Sequence, residues 1–209
     1  MLRNDIDSFL KSIPSNVTVV AATKYISAKE MEELYSHNIK DYGENRVDSF
    51  LEKYQSLYKY KDIKWHFIGH LQRNKAKEVI NKIDYLHSLD SLKLADIIEK
   101  ERETPLKTFV EVSVNLEESK NGVPYYEIDT FIASLLKYQK IELVGLMMMA
   151  VKGSLNTEEQ FNKLREIRGN LEKKFKIKIP YLSMGMSDDY LSAIDSGATH
   201  VRLGRILYK

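Results

Sequence analysis

Lys24 is the residue whose position most favours covalent chemistry. It follows directly after the apolar run VTVVAAT (17–23), so a strand over that run would present the lysine amine at the end of the strand. A lysine held there can attack a bound carbonyl and form a Schiff base. Lysines are common after apolar runs, and an ordinary surface residue is the alternative on this position alone.

A second set of residues has the composition of a phosphate site. The segment LSMGMSDDY (182–190) contains Ser183, Gly185 and Ser187, and we expect the Ser187 hydroxyl to cap a short helix. Gly204 ends the next apolar run, THVRLG (199–204). Glycines and hydroxyls at neighbouring strand ends leave backbone N–H groups open to an anion. Ordinary turn residues with a helix cap are the alternative.

The other polar clusters are less specific. Asn45 lies in YGENR (42–46), where a glycine permits close backbone approach, but a plain turn explains this segment equally well. His66 and His70 have the spacing of a helical zinc motif, yet WHFIG (65–69) has the composition of a strand. Residues four apart in a strand are separated by about 13 Å, so we predict no metal site. The run from Met147 to Met149 suits core packing, or an apolar wall beside a flat ring.

These residues fall at the ends of a regular series of predicted strands. The strand candidates are the apolar, β-branched or aromatic runs 17–23, 39–44, 63–69, 84–90, 107–114, 142–150, 180–185 and 199–204. Helical patterns separate the runs, among them NKAKEVINK (74–82) and TEEQFNKLREIRGNLEKKF (157–175). An amphipathic segment with Ile6, Phe9 and Ile13 precedes the first run. Because strands and helices alternate, and because eight parallel strands close into a barrel, we predict an α/β fold, a single (β/α)8 TIM barrel with an extra N-terminal helix. The rival, an open doubly wound sheet, would carry a Gly-rich phosphate loop after strand 1, and AATKYISAKE has no glycine.

Composition sets the class of protein. With 209 residues, 43% of them hydrophobic, the chain can form one core, and we predict one domain over 1–209. It contains no cysteine, which suits a reducing compartment, so we predict a cytoplasmic protein. No apolar run is long enough to span a bilayer, and we predict no membrane partner. The 32 Lys and Arg residues nearly balance 30 Asp and Glu residues along the chain, so we expect no nucleic-acid partner.

The sequence resembles the YggS-type pyridoxal phosphate homeostasis proteins, also called the PROSC family. The resemblance runs almost end to end. It is carried by AATKY, YGENRV, WHFIGHLQRNK, LHSLDSLKLA, VNLEESKNGV, LVGLMMMA, LSMGMSDDYLSAI and GATHVRLGR. It implies a barrel of the alanine racemase N-terminal type that binds pyridoxal 5′-phosphate (PLP).

The resemblance also implies roles for individual residues. Lys24 would carry PLP as a Schiff base, and Arg202 would face the pyridine nitrogen and keep it unprotonated. The residues implied to hold the phosphate are Ser183, Gly185, Met186 and Ser187, with backbone near Gly204 and Arg205. Those implied to lie against the ring or its substituents are Asn45, Met147 and His87.

Three positions depart from the family pattern. Arg205 stands where a small hydroxyl residue is common, so we expect its backbone N–H, and not its side chain, to contact the phosphate. Tyr25 replaces the usual small residue or threonine after the lysine, and the VNLEESK segment is a residue or two short. None of these changes removes the lysine, the arginine or the glycines.

Two functions follow from the resemblance. The first is a non-catalytic, monomeric protein that binds PLP for intracellular PLP homeostasis, with transfer to apoenzymes as a further step. The second is a fold-type III amino-acid racemase, which needs a second base from a C-terminal β-domain. Because the sequence ends at Lys209 without such a domain, we expect the carrier.

Overall fold

The computed structural model describes residues 1–115, 121–151 and 156–208, and these form a closed parallel barrel. The strands that close the barrel are β1 (Thr18–Ala22), β2 (Asp41–Glu44), β3 (Lys64–Phe67), β4 (Tyr85–Leu89), β5 (Leu106–Ser113), β7 (Ile141–Met147), β8 (Tyr181–Ser183) and β9 (His200–Leu203). Each strand pairs in parallel with its neighbours, and the pairing of β1 with β9 completes the ring. The eight-stranded barrel predicted from the sequence is confirmed.

Helices connect the strands and cover the outside of the barrel. They are α1 (Ile6–Ser12), α2 (Ala28–Ser36), α3 (Val47–Ser56), α4 (Ala76–Val79), α5 (Leu92–Glu101), α6 (Ile128–Leu135), α7 (Thr157–Phe175) and α8 (Tyr190–Asp195), with a 3-10 helix at Arg205–Leu207. The predicted N-terminal helix is α1, which buries Ile6 and Phe9. Searched over the described ranges, no helix is long and apolar enough to cross a membrane.

Local sequence explains where several helices begin and end. At the start of α2, the Ser27 side chain accepts a hydrogen bond from the Glu30 N–H, and the Glu30 carboxylate accepts one from the Ser27 N–H. In α7, Phe161, Leu164 and Leu171 are buried at helical spacing. This helix ends at Phe175, and the next residue, Lys176, has a left-handed φ of 54°.

Two elements, a strand and a helix, differ most from the sequence prediction. A short strand, β6 (Val123–Pro124), pairs with β5 outside the barrel. The helix expected over NKAKEVINK (74–82) is reduced to α4, because the Asn81 side chain instead bridges the Glu101 carbonyl and the Glu103 N–H. Most of VNLEESK (114–120) lies outside the described residues.

Candidate functional site

Lys24 lies at the carboxyl end of β1, on the rim where active sites of parallel barrels form. Thr23 precedes it, and the Thr23 N–H donates to the Gly43 carbonyl of the neighbouring strand end at 3.0 Å. The Lys24 side chain is exposed, with Nζ 4.3 Å from the centroid of the Tyr25 ring. The amine is therefore open to a molecule that enters the barrel mouth.

A buried ion pair supports the backbone next to Lys24. Lys53, from α3, donates from Nζ to the Thr23 carbonyl at 2.6 Å and contacts a Glu44 carboxylate oxygen at 2.5 Å. The Thr23 hydroxyl donates to the same carboxylate. The Lys53 and Glu44 side chains are 8% and 0% exposed, so this cluster is shielded from water. It fixes the end of β1 to the end of β2.

Asn45 follows β2 on the same rim and contacts the end of β3. A Cβ on Gly69 would lie 2.6 Å from the Asn45 Cβ and 2.5 Å from its carbonyl oxygen, so only glycine fits at position 69. The Asn45 Oδ1 is buried and has no hydrogen-bond partner within the part of the chain that the structure describes. A buried acceptor without a partner is costly, and a ligand that donates a hydrogen bond would relieve that cost.

Backbone N–H groups converge at the end of β9. The Ser187 Oγ accepts from the N–H of Gly204 and from the N–H of Ile206, each at a long 3.3 Å. β9 lies beside β1, with Leu203 opposite Ala21, so this cradle and Lys24 share one rim. Two convergent N–H groups and a hydroxyl form an arrangement that binds phosphate oxygens.

Ser187 was predicted as a helix cap, and that prediction is wrong. α8 begins at Tyr190 with Asp189 as its N-cap, and the Asp189 carboxylate accepts from the Met186 N–H at 2.5 Å. Because the Asp189 carboxylate accepts from the Met186 N–H, the Ser187 hydroxyl is left to accept from the N–H groups that follow β9. Arg205 directs its side chain outward to an exposed ion pair with Asp188.

A chain of polar side chains crosses the barrel interior and ends at Arg202. The Arg202 Nη1 donates to the Ser183 Oγ at 2.6 Å, and the Ser183 Oγ lies 2.8 Å from the His87 Nδ1. The His87 Nε2 is 2.9 Å from the His66 Nδ1. The His66 Nε2 is 2.9 Å from an Asp41 carboxylate oxygen. Ser183 is thus bonded within the interior, whereas Ser187 meets the N–H groups of the rim.

Burial sets the charge of this interior. It lowers the pKa of His87 well below the usual value, with His66, His200 and Arg202 adding to the effect, so the His87 ring is neutral. Burial likewise lowers the pKa of His200 to about 3. The pKa of Arg202 falls to about 10 for the same reason, and Arg202 remains a cation at neutral pH.

The remaining predicted residues are divided between the rim and the core. Met147 is buried in a cluster with Phe109 and Val144. Gly185 has a φ of 91°, and a Cβ there would lie 2.5 Å from the Ala193 Cβ, which explains the glycine. Met186 is 38% exposed. Over the residues that are described, no group of three or more His, Cys, Asp or Glu side chains is arranged to hold a metal ion.

The family model described as alanine racemase, N-terminal domain, matches this chain over residues 2–209. The chain belongs to that family. Within it, the pyridoxal phosphate homeostasis protein of Aquifex aeolicus is 38% identical over 195 residues, 91% of this chain and 85% of the relative. The human pyridoxal phosphate homeostasis protein is 34% identical over 206 residues, 91% of this chain and 75% of the relative. The resemblance seen in the sequence is confirmed.

Solved structures share the barrel. PipY of Synechococcus elongatus, solved with PLP bound, superposes with a TM-score of 0.91 at 29% identity, covering 98% of this chain and all of that one (100%). Alanine racemase from Corynebacterium glutamicum gives a TM-score of 0.78 at 15% identity, covering 97% of this chain and 58% of that chain. The second likeness shows the alanine racemase N-terminal fold alone.

The residues on the rim fit PLP. The N–H groups at Ser187 suit its phosphate, the unpartnered Asn45 oxygen suits a donor on the ring, and the exposed Lys24 amine suits its aldehyde. Sequence reasoning missed Lys53 and the N–H of Ile206. Neither had a signal in the sequence, because Lys53 resembles any helical lysine and a backbone donor leaves no mark on residue type.

Proposed function

We propose that this protein binds PLP in intracellular PLP homeostasis and holds it on Lys24. The observation that carries the proposal is the shared rim, where the Lys24 amine and the N–H cradle at Ser187 end two adjacent strands. The PLP-bound structure of PipY and the names of the curated relatives support the same ligand.

Each rim residue has a defined task in this proposal. PLP supplies an aldehyde that reacts reversibly with amines. Lys24 provides the amine as a Schiff-base partner, and Ser187 with the N–H groups of Gly204 and Ile206 binds the phosphate. The backbone at Gly185, Met186 and Arg205 borders that cradle. Asn45 accepts a hydrogen bond from the ring substituents.

Further residues act from inside the barrel. Arg202 directs a permanent positive charge toward the ring nitrogen and disfavours its protonation. Ser183 accepts a hydrogen bond from Arg202, and His87 is hydrogen-bonded to Ser183. We assign both residues to the ring end of the site. Met147 contributes apolar packing below the ring.

Borohydride trapping tests the proposal. Reduction of protein loaded with PLP should fix pyridoxyl mass on Lys24, and peptide mass spectrometry locates it. Lys24→Ala should abolish the label, whereas Lys29→Ala, which changes an exposed lysine of α2, should keep it. Label on another lysine alone in the wild-type protein would contradict the assignment.

We propose a carrier role rather than catalysis. The curated relatives are named for homeostasis, and the exposed Lys24 leaves PLP accessible to amines of other molecules. We extend the proposal to a cytoplasmic monomer that passes PLP to apoenzymes. The racemase alternative is decided by incubation with L-alanine in deuterated water, where a carrier gives negligible racemisation. Turnover of about 1 per second or more would establish the enzyme.

A further inference from the structure

The histidines of the polar chain have the geometry to pass hydrogen bonds in one direction only. Arg202 is always a donor, so the Ser183 oxygen accepts from it and has one proton left to give. That proton goes to the His87 Nδ1. The neutral His87 ring then donates from Nε2 to the His66 Nδ1, and His66 donates from Nε2 to the Asp41 carboxylate.

The opposite direction leaves groups unsatisfied. If His87 donated from Nδ1 to Ser183, the Ser183 oxygen would accept twice and its own proton would have no partner among the described residues. A buried donor without a partner is unfavourable. Arg202, always a donor, and the Asp41 carboxylate, an acceptor when ionised, therefore favour the same direction from the two ends, and with it the Nε2-protonated tautomers of His66 and His87.

This chain of hydrogen bonds joins the two ends of the barrel. Asp41 is the first residue of β2, at the amino end, and its side chain is 29% exposed. His66 and His87 are fully buried at 0%, and the His87 ring stacks on Phe109 at 4.2 Å between centroids. Arg202 lies on β9, and its Nη2 also donates to the Met148 carbonyl at 2.9 Å. Both nitrogens at the end of the guanidinium are held, which fixes its plane.

We propose that Asp41, His66, His87 and Ser183 are positioning residues that orient Arg202 through one ordered hydrogen-bond chain. Asp41, at the far end of the barrel from Lys24, is its anchor. The effect on PLP rests on the proposed function, because there Arg202 faces the ring nitrogen. The order of the hydrogen bonds does not require PLP. The hydrogen-bond chain and its effect on bound PLP can therefore be tested separately.

The first experiment uses the protein without PLP. Long-range nitrogen–proton NMR spectra should show His66 and His87 as single tautomers protonated on Nε2. Asp41→Ala should convert the His66 signal into a mixture of tautomers and speed exchange of the Arg202 guanidinium protons about ten-fold. Glu142→Gln, which changes an exposed carboxylate near the amino end of β7, is the matched control and should leave both signals unchanged.

The second experiment adds PLP. Asp41→Ala and His87→Gln should shift the absorption maximum of bound PLP in the same direction, while Asp41→Asn, which keeps an acceptor for His66, should restore most of the wild-type spectrum. Nδ1-protonated histidines in the PLP-free protein, or tautomers unchanged by Asp41→Ala, would overturn the inference. Failure of the wild-type protein to bind PLP would instead overturn the proposed function and leave the NMR result standing.

Discussion

At the scale of single residues, Gly69 is a position where even a methyl side chain would disturb the site. Because glycine has no Cβ, Asn45 can occupy the space beside residue 69. Three atoms of Asn45 lie 2.5 to 2.7 Å from where a Cβ of residue 69 would be. Those atoms include backbone, which yields less readily than a flexible side chain. The end of β3 thus holds Asn45 in position by close approach and not by a hydrogen bond from a side chain.

We expect Gly69→Ala to destabilise the fold by about 1 to 3 kcal/mol and to weaken PLP binding, because Asn45 must move. Urea unfolding and a PLP titration measure the two effects. The matched control is Gly169→Ala in α7, where a Cβ meets nothing within 4 Å. That change should stabilise the protein by about 0.5 to 1 kcal/mol, since alanine is the better helix former. Equal effects of the two substitutions would contradict this account of Gly69.

Glu111, near the carboxyl end of β5, predicts a pH dependence. Burial raises the pKa of Glu111 to about 7, with Asp90 adding to the rise and Arg202 opposing it. An unfolded glutamate has a pKa of about 4.3, so the folded state binds this proton more tightly. The contribution of Glu111 to stability therefore falls as pH rises from about 4.5 to about 7, and the penalty is complete above that range.

Glu111→Gln should remove this penalty. Its stability relative to the wild-type protein should grow through that pH range, by up to about 3 kcal/mol, and then remain level. Urea unfolding from about pH 5 to about pH 8 measures the difference. Glu142→Gln, at an exposed position of β7, is the control measured under the same conditions. A constant difference for Glu111→Gln would show that its carboxyl titrates normally.

At the scale of elements, α3 stabilises the rim through one side chain. The Lys53 Nζ of this helix donates to the Thr23 carbonyl, and among the described residues the Glu44 Oε2 is buried with no hydrogen-bond partner of its own. A buried carboxylate left without its cation is strongly destabilising, whereas an exposed pair contributes little.

We expect Lys53→Met to cost about 3 to 5 kcal/mol in the free energy of unfolding. Lys53→Met combined with Glu44→Gln should cost less than the sum of the two single changes, because no uncompensated charge remains. The control is Lys75→Met, whose pair with Asp48 is exposed and should contribute at most about 1 kcal/mol. Additive costs for Lys53 and Glu44 would mean that the two charges act independently.

The elements also show what the sequence could and could not predict. Thr157–Phe175 was predicted to the residue, because its apolar spacing is long and uninterrupted. The strand expected over 142–150 ends at Met147, since the carbonyl of Met148 serves Arg202 instead of a neighbouring strand. Ser187 does not cap α8, because its hydroxyl accepts from the N–H groups of Gly204 and Ile206, which follow β9 and lie far from it in sequence. Partners distant in sequence decided both outcomes.

At the scale of the molecule, the barrel allows distant residues to act at one rim. Thr23 and Gly43 come together through β1 and β2, and Leu203 returns beside Ala21 about 180 positions later to complete the ring. Interior positions that most barrels fill with branched residues hold His66, His87 and His200 here. The alternation of eight predicted strands with helices predicted the ring, and it carried no information on the hydrogen bonds between these histidines.

Binding at this rim should stabilise the whole barrel by mass action. At a PLP concentration about 100 times its dissociation constant, the gain is about 2.7 kcal/mol, which raises Tm by about 5 to 11 °C in a domain of this size. Thermal unfolding with increasing PLP measures this shift. Lys24→Ala should show a smaller rise at the same PLP concentration, because it loses the covalent bond and keeps the phosphate cradle.

Pyridoxine 5′-phosphate separates the two contributions, since it has the phosphate and the ring but no aldehyde. It should raise Tm equally in the wild-type protein and in Lys24→Ala, whereas PLP should raise Tm more in the wild-type protein. The Lys29→Ala variant should follow the wild-type protein with both ligands. If PLP stabilised Lys24→Ala as strongly as the wild-type protein, the cradle alone would hold PLP, and Lys24 would not be its anchor.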